Sequence, residues 1–177
     1  LLALKTRMHE LAPHYASSWA HRFNIDGLLL HAVEQPDVGS HGYVQVFRSG
    51  LFELVETGFL HENGSDRYIP GRGLETDLMR EVQRFLRLSV VIQAEPPAVI
   101  MATLLWVRGY RIATQPERFR DQPHYTIDRD LISLPDILVE DYSASPEEYL
   151  KPVFDALWQA AGWPHSMNYD ETGKRKS

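Results

Sequence analysis

Short turn signals divide the first half of this chain into β-type runs, and this punctuation limits its fold more than any other feature. Residues 43–48 and 51–57 are rich in β-branched and aromatic side chains and flank Ser49 and Gly50, which predicts a hairpin. A second turn cluster at 62–66 separates Phe59 and Leu60 from 68–70, which predicts another strand pair. Runs joined this closely pair antiparallel, so the pattern favours a sheet built from hairpins.

Three stretches have the apolar spacing of helices. The first is interrupted by Pro13, where we expect a kink or a break, and its predicted apolar stripe is Leu4, Met8, Leu11, Tyr15, Trp19 and Phe23. The second follows the breaker residues 70–73, and its predicted buried face is Leu74, Leu78, Val82, Phe85, Ser89 and Ile92. The third begins at Ser145 and Pro146, a predicted N-cap and first helical residue, and ends at Gly162.

Residues 98–107 form the longest apolar run, which only Thr103 interrupts. Because its apolar residues do not alternate with polar ones, the run predicts a strand that is covered on both faces, with a buried helix as the alternative. We expect a tight turn at Arg108 and Gly109 to lead it into 110–113. Loops are predicted over 35–42 and 115–130, and a further strand over 137–140.

The order of elements therefore predicts an α+β fold, with a mainly antiparallel sheet built from hairpins and about three helices packed on it. A doubly wound parallel fold is disfavoured, because it needs strands and helices to alternate throughout. We predict an N-terminal helical segment over 1–22 that links to a missing upstream domain, one α+β domain over 23–165, and a frayed C-terminal tail over 166–177.

Composition excludes several kinds of chemistry. The chain has no cysteine, which rules out a disulfide framework, a thiolate zinc site, an iron–sulfur cluster and a cysteine nucleophile. Its 18 Lys and Arg against 24 Asp and Glu give a net charge of -6, which argues against a broad basic footprint for nucleic acid. No apolar run is long enough to cross a membrane and no secretory signal is recognisable, so we expect a cytoplasmic protein.

No known catalytic motif is present, and we predict neither a metal nor a cofactor. Gly71 and Gly73 flank the start of the second helix, where an anion could bind, although a simple helix-entry turn explains them better. Of the eight histidines, only His61, near Glu62 and Asp66, and His124, near Asp128 and Asp130, form local clusters with carboxylates, and neither cluster has a recognised ligand spacing.

Arginines at strand ends are the candidate ligand-binding residues. Arg48 precedes the Ser49 turn, while Arg108 and Arg111 flank Gly109. A planar guanidinium beside the Tyr110 ring could hold a phosphate or a carboxylate. The simpler interpretation is that these arginines solvate the ends of hairpins.

Several segments resemble the C-terminal region of bacterial proteins that carry an N-terminal Schlafen/AlbA-type DNA-binding domain. The segments are residues 22–29 (RFNIDGLL), 42–50 (GYVQVFRSG), 108–111 (RGYR), 156–164 (ALWQAAGWP) and 168–171 (NYDE). These proteins are labelled DNA-binding or ATP-binding because of their upstream domain, so no functional residue carries over to this chain. The resemblance implies an accessory domain of a bacterial cytoplasmic protein, with the upstream DNA-binding domain as its partner.

Three functions remain open. The first is a non-catalytic accessory domain that senses a ligand, binds a partner or drives self-association, with a homo-oligomer as one form of it. The second is a module that helps to hold nucleic acid through Arg48, Arg108 and Arg111, and through the helix arginines Arg80, Arg84 and Arg87. The third is a metal-dependent nuclease or phosphoester hydrolase that uses His41 or His61 with Glu53 or Glu56.

Overall fold

The structure is a computed structural model that describes residues 1–33, 42–114 and 125–176. The predicted α+β class is confirmed, since hairpins build antiparallel sheets that are accompanied by helices. The chain divides into two compact units. The first unit comprises Leu1–Phe59 and Arg84–Glu95, and the second comprises Leu60–Gln83 and Pro96–Ser177.

The first unit contains a four-stranded antiparallel sheet in sequence order. Its strands are β1 (Trp19–Phe23), β2 (Gly27–Ala32), β3 (Gly42–Phe47) and β4 (Phe52–Glu56). The predicted hairpin around Ser49 is therefore confirmed as β3 and β4, and the loop predicted over 35–42 lies almost wholly outside the described residues. The buried side chains of this unit form one core: Leu4, Leu11, Leu28, Leu30, Val44, Val46 and Leu88.

The helical segment predicted over 1–22 is only partly correct. A 3₁₀ helix spans Leu2–Leu11 and ends before Pro13, as that residue predicts. Trp19 and Phe23 were predicted on the same helical stripe, but they begin and end strand β1, where they pair with Ala32 and Leu28. A spacing of four residues fits a helix, yet it also suits alternate positions of a strand, and pairing with β2 decides between them.

Helix α1 (Gly71–Val91) contributes residues to both units. The predicted buried face is only partly correct, since Leu74, Leu78 and Phe85 are half-buried while neighbouring positions are fully buried. The buried positions include two glutamates, and the full set is Gly71, Glu75, Met79, Glu81, Val82, Leu86, Leu88 and Ser89. The buried face of α1 therefore includes Glu75, which the predicted face did not. The Glu75 carboxylate accepts hydrogen bonds from buried donors elsewhere in the second unit.

In the second unit, β5 (His61–Asn63) and β6 (Asp66–Pro70) form the predicted hairpin. The turn at Gly109 is present, with φ +82°, and it leads into β9 (Arg111–Ala113). We expected this segment to fold back on 98–107. It instead pairs in parallel with β6, which a local turn signal cannot specify.

Residues 98–107 pair with a later segment, and together they form a two-stranded antiparallel ribbon. β7 (Ala98–Ile100) pairs with β11 (Ile137–Val139), and β8 (Thr103–Leu105) pairs with β10 (Leu131–Ser133). Between the two pairings, residues 134–136 lie opposite residues 101–102, so one strand has one extra residue. Pro135 occupies this bulge, where its missing N–H removes no ladder hydrogen bond.

The last helix begins at Pro146, as predicted, but it is divided into α2 (Pro146–Tyr149) and α3 (Lys151–Ala160). Gly162 ends it with φ +81°. The frayed tail predicted over 166–177 is wrong for its described residues, since Ser166 and Tyr169 are buried. Backbone bonds also hold the tail in a turn, and Lys176 donates to the main-chain oxygen of Asn168 across 2.8 Å.

Candidate functional site

The four predicted ligand-binding residues do not form one site. Arg48 lies in the first unit, and Arg108, Tyr110 and Arg111 lie in the second. The Arg48 guanidinium closes the turn between β1 and β2. Its Nε donates to the main-chain oxygen of Ile25 across 3.0 Å, and its Nη2 donates to that of Asn24 across 3.4 Å. This arrangement gives Arg48 a structural task at a hairpin end.

Tyr110 and Arg111 bind carboxylates of the β5–β6 hairpin. The Tyr110 hydroxyl donates to Glu62 Oε1 across 2.8 Å, and burial, together with this hydrogen bond, raises the pKa of Tyr110. Arg111 donates two hydrogen bonds to Asp66, from Nε to Oδ1 at 2.9 Å and from Nη2 to Oδ2 at 2.8 Å. The hydrogen bond that Arg111 donates to Asp66 raises the pKa of Arg111. An incoming anion would have to displace Asp66 from this fork.

Arg108 is also paired. Its Nε lies 3.1 Å from Asp130 Oδ2, and both side chains are exposed. Such exposed pairs contribute little to stability, typically under about 1 kcal/mol. The exposed Arg108 side chain therefore fits two interpretations equally: it solvates the end of a hairpin, or it belongs to a ligand site.

The residues proposed for hydrolase chemistry are not gathered into a metal site. His61 is exposed and stacks on Tyr68, with 5.1 Å between ring centroids. Glu53 accepts a hydrogen bond from the Tyr43 hydroxyl, which raises the pKa of Tyr43 to about 12. Within the ranges that the structure describes, no three His, Asp or Glu side chains converge as metal ligands, and His41 and His124 lie outside those ranges.

A buried carboxylate is the chemically distinctive group of the second unit. Glu75 is fully buried on α1, where its Oε1 accepts from Trp158 Nε1 across 2.8 Å and from Ser166 Oγ across 2.5 Å. The Arg175 Nε lies 4.0 Å from its Oε2. Burial raises the pKa of the Glu75 carboxyl, and the two hydrogen bonds and the arginine oppose that rise. The group fastens α1 to α3 and the C-terminal segment.

The ribbon presents a second unusual feature, which is an apolar face left in solvent. We call this the outer face and define it by Val99, Met101, Thr103 and Leu105 on one strand and Leu131, Ser133 and Leu138 on the other. Val99 pairs with Leu138 and Leu105 with Leu131, and each of these four side chains is roughly half exposed or more. The opposite face, which includes Ile132 and Val139, is buried.

The prediction that residues 98–107 are covered on both faces is therefore wrong for the described residues, which leave the outer face exposed. The sequence signal was an unbroken apolar run, which is typical of strands with two packed faces. The described residues supply only one packing layer, so Val99 and Met101 remain 59% and 67% exposed. The run is apolar on the side that the described residues leave exposed.

Trp106 is a further exposed apolar residue beside the ribbon in the chain. It follows Leu105 directly, is 78% exposed, and has a positive φ of 57°. A bulky residue in the left-handed region is strained by about 1–2 kcal/mol, and such strain concentrates at functional positions. The sequence carries no local signal for this exposure.

Fold and surface together define an α+β protein with an open apolar ribbon. No family model, curated protein or solved structure matches the chain. Among the helices that the structure describes, none is both long enough and apolar enough to cross a membrane.

Proposed function

We propose that this chain is a non-catalytic accessory domain that acts by docking a protein surface on the outer face of its ribbon. The observation that carries the proposal is the row of exposed apolar pairs, Val99 with Leu138 and Leu105 with Leu131. Contiguous apolar surface that stays in water is typical of interaction sites, because burying it is favourable by about 25 cal/mol per Å².

The arginines support this choice over ligand sensing. Arg48, Arg108 and Arg111 each hold a main-chain oxygen or a carboxylate of this chain. A sensor for phosphate or carboxylate would need to break one of those contacts before it could bind. The outer face needs no such rearrangement, since its apolar side chains already face solvent.

The resemblance to the C-terminal region of Schlafen/AlbA-type bacterial proteins agrees with an accessory role. In that setting the domain would sit beside an upstream DNA-binding domain of the same protein. Docking through the outer face would then bring that upstream domain to a partner or to a second copy. The net charge of -6 favours a protein partner over nucleic acid on this chain.

Hydroxyl-radical footprinting in cells tests the docking proposal with the protein as it exists. Met101 and Trp106 react readily with radicals, and both are mostly exposed in the structure. We expect their oxidation in cells to fall several-fold below that of the purified chain at nanomolar concentration. Phe23, an exposed aromatic residue of the first unit, is the internal control and is expected to react equally in both samples.

Equal oxidation of Met101 and Trp106 in cells and in dilute solution would show that the outer face is uncovered, and would overturn the proposal. Protection that extends to Phe23 would show a general shielding by the cell and would count against a specific interface.

A further inference from the structure

We infer that the outer face is occupied by a second copy of this chain, packed face to face in an antiparallel arrangement. This inference rests on the proposed docking function. In the arrangement, a two-fold axis lies in the interface and crosses the strands beside Ala102 and Leu134. These two residues share the central hydrogen bond of the ribbon, in which Leu134 N donates to Ala102 O across 3.0 Å.

The outer face is complementary to itself under this rotation. An apolar pair, Val99 with Leu138, lies on one side of the centre, and the pair of Leu105 with Leu131 lies on the other. The rotation places the first pair of one copy over the second pair of its partner. Each apolar pair then meets another apolar pair, as an isologous interface requires.

The charges at the two ends of the ribbon agree with the antiparallel choice. Beyond Leu105 and Leu131 at one end the charges cancel, because Arg108 pairs with Asp130 and Arg129 pairs with Asp128. Glu140 and Asp141, which are exposed, lie at the other end, and the sequence has no Lys or Arg from 130 to 150. The rotation brings the neutral end of each copy over the acidic end of its partner. A parallel arrangement would put acidic ends together, and like charges repel.

The surface is large enough for a weak pair. The five apolar residues of the outer face are each about half exposed or more. At roughly 100 Å² for each side chain they offer on the order of 500 Å² per copy, so a pair would cover about 1,000 Å², the size of a weak or transient interface. Trp106 lies directly after Leu105 at the end of the ribbon and is of the residue type that most often dominates binding energy.

Directed cross-linking tests the geometry, because the chain has no cysteine of its own. Val99→Cys and Leu105→Cys proteins are prepared separately, mixed, and treated with a short bismethanethiosulfonate linker. In the antiparallel pair, position 99 of one copy faces position 105 of the other, so we expect cross-linked dimers in the mixture. Two copies of Val99→Cys alone keep their thiols roughly 20 Å apart, at about 3.3 Å per residue, and are expected to cross-link at least fivefold less.

Sedimentation equilibrium of the unmodified chain provides the independent measurement. We expect a concentration-dependent mass that approaches twice 20.4 kDa. Leu105→Glu is expected to weaken the association at least tenfold. Ile25→Glu, which alters an exposed apolar residue of the first unit, is the matched control and is expected to leave it unchanged. Circular dichroism of each variant separates lost association from lost folding.

The possible outcomes separate this inference from the function on which it rests. If sedimentation shows a monomer at high micromolar concentration, the inference that a second copy occupies the outer face is overturned. Protection of Met101 and Trp106 in cells would then assign the outer face to a different protein. Efficient cross-linking of Val99→Cys to itself would indicate a parallel arrangement and would overturn the antiparallel one. Loss of protection in cells together with a monomer would remove both proposals.

Discussion

Trp158 donates its indole N–H to Glu75 Oε1 across 2.8 Å, and both side chains lie in the interior of the second unit. Burying a carboxylate is unfavourable unless donors replace its lost water. Ser166 supplies a second donor to the same oxygen, and Arg175 supplies a nearby positive charge. The contact therefore joins α1 to α3 inside the second unit.

The Glu75 carboxyl is expected to make stability depend on pH. Burial raises its pKa in the folded protein above the ordinary value of 4.5, so the folded state holds the proton at a higher pH than the unfolded state. The stability contributed by this group is present below pH 4.5 and is lost as pH rises through the raised pKa. Glu75→Gln cannot titrate, so its unfolding free energy should rise relative to the wild type as pH increases from 4.5 to neutrality.

Denaturant unfolding of both proteins at several pH values measures this difference. Glu147→Gln, which changes an exposed glutamate of the same unit, is the matched control and should follow the wild type. A wild-type stability that increases relative to Glu75→Gln toward neutral pH would contradict the prediction, because it would mean that the folded pKa is lowered.

Two glycines of α1 make a sharp comparison of packing. A Cβ at Gly71 would lie 2.6 Å from Ile112 Cγ2 and 2.7 Å from Trp158 Cζ2, so Gly71→Ala is expected to destabilise the protein by about 1–3 kcal/mol. A Cβ at Gly73 would meet only Pro70, at 3.5 Å or more, so Gly73→Ala should stabilise by about 0.5–1 kcal/mol. Thermal and urea unfolding measure both changes, and a Gly71→Ala protein as stable as wild type would show that the close contacts are absent.

Trp106 is expected to contribute to assembly at the expense of monomer stability. Asn adopts a positive φ with less strain than a bulky residue, so Trp106→Asn should stabilise the monomer by about 0.5–1 kcal/mol. The same change removes the exposed indole and should weaken self-association at least fivefold. Trp106→Ala also removes the indole but keeps the strain, so it should lose association without gaining stability. Unfolding at nanomolar concentration and sedimentation equilibrium measure the two effects separately.

The fork between Arg111 and Asp66 is expected to be a weak stabiliser, since neither side chain is buried. A double-mutant cycle with Arg111→Ala and Asp66→Ala should give a coupling of about 0.5–1 kcal/mol that decreases in high salt. A coupling above about 3 kcal/mol would be inconsistent with a solvent-screened pair and would indicate that the site is drier than its exposure suggests.

The sequence by itself determined the local parts of this protein. Ser49 and Gly50 lie in the short connection between β3 and β4, and the hairpin follows, because adjacent runs can pair without closing a long loop. Pro13, Pro146 and Gly162 mark helix ends where they were predicted, since the lost N–H or the positive φ acts on the chain at that residue. The α+β class follows from adding these local choices.

Only the tertiary structure decided which surfaces are covered and which distant segments meet. The parallel pairing of β6 with β9 joins residues more than forty positions apart, and no turn signal encodes it. Glu75 is buried because Trp158 and Ser166 reach it from the far end of the chain. The apolar run at 98–107 gives no indication of whether both its faces are covered, because periodicity records polarity and not the neighbour that provides the second layer.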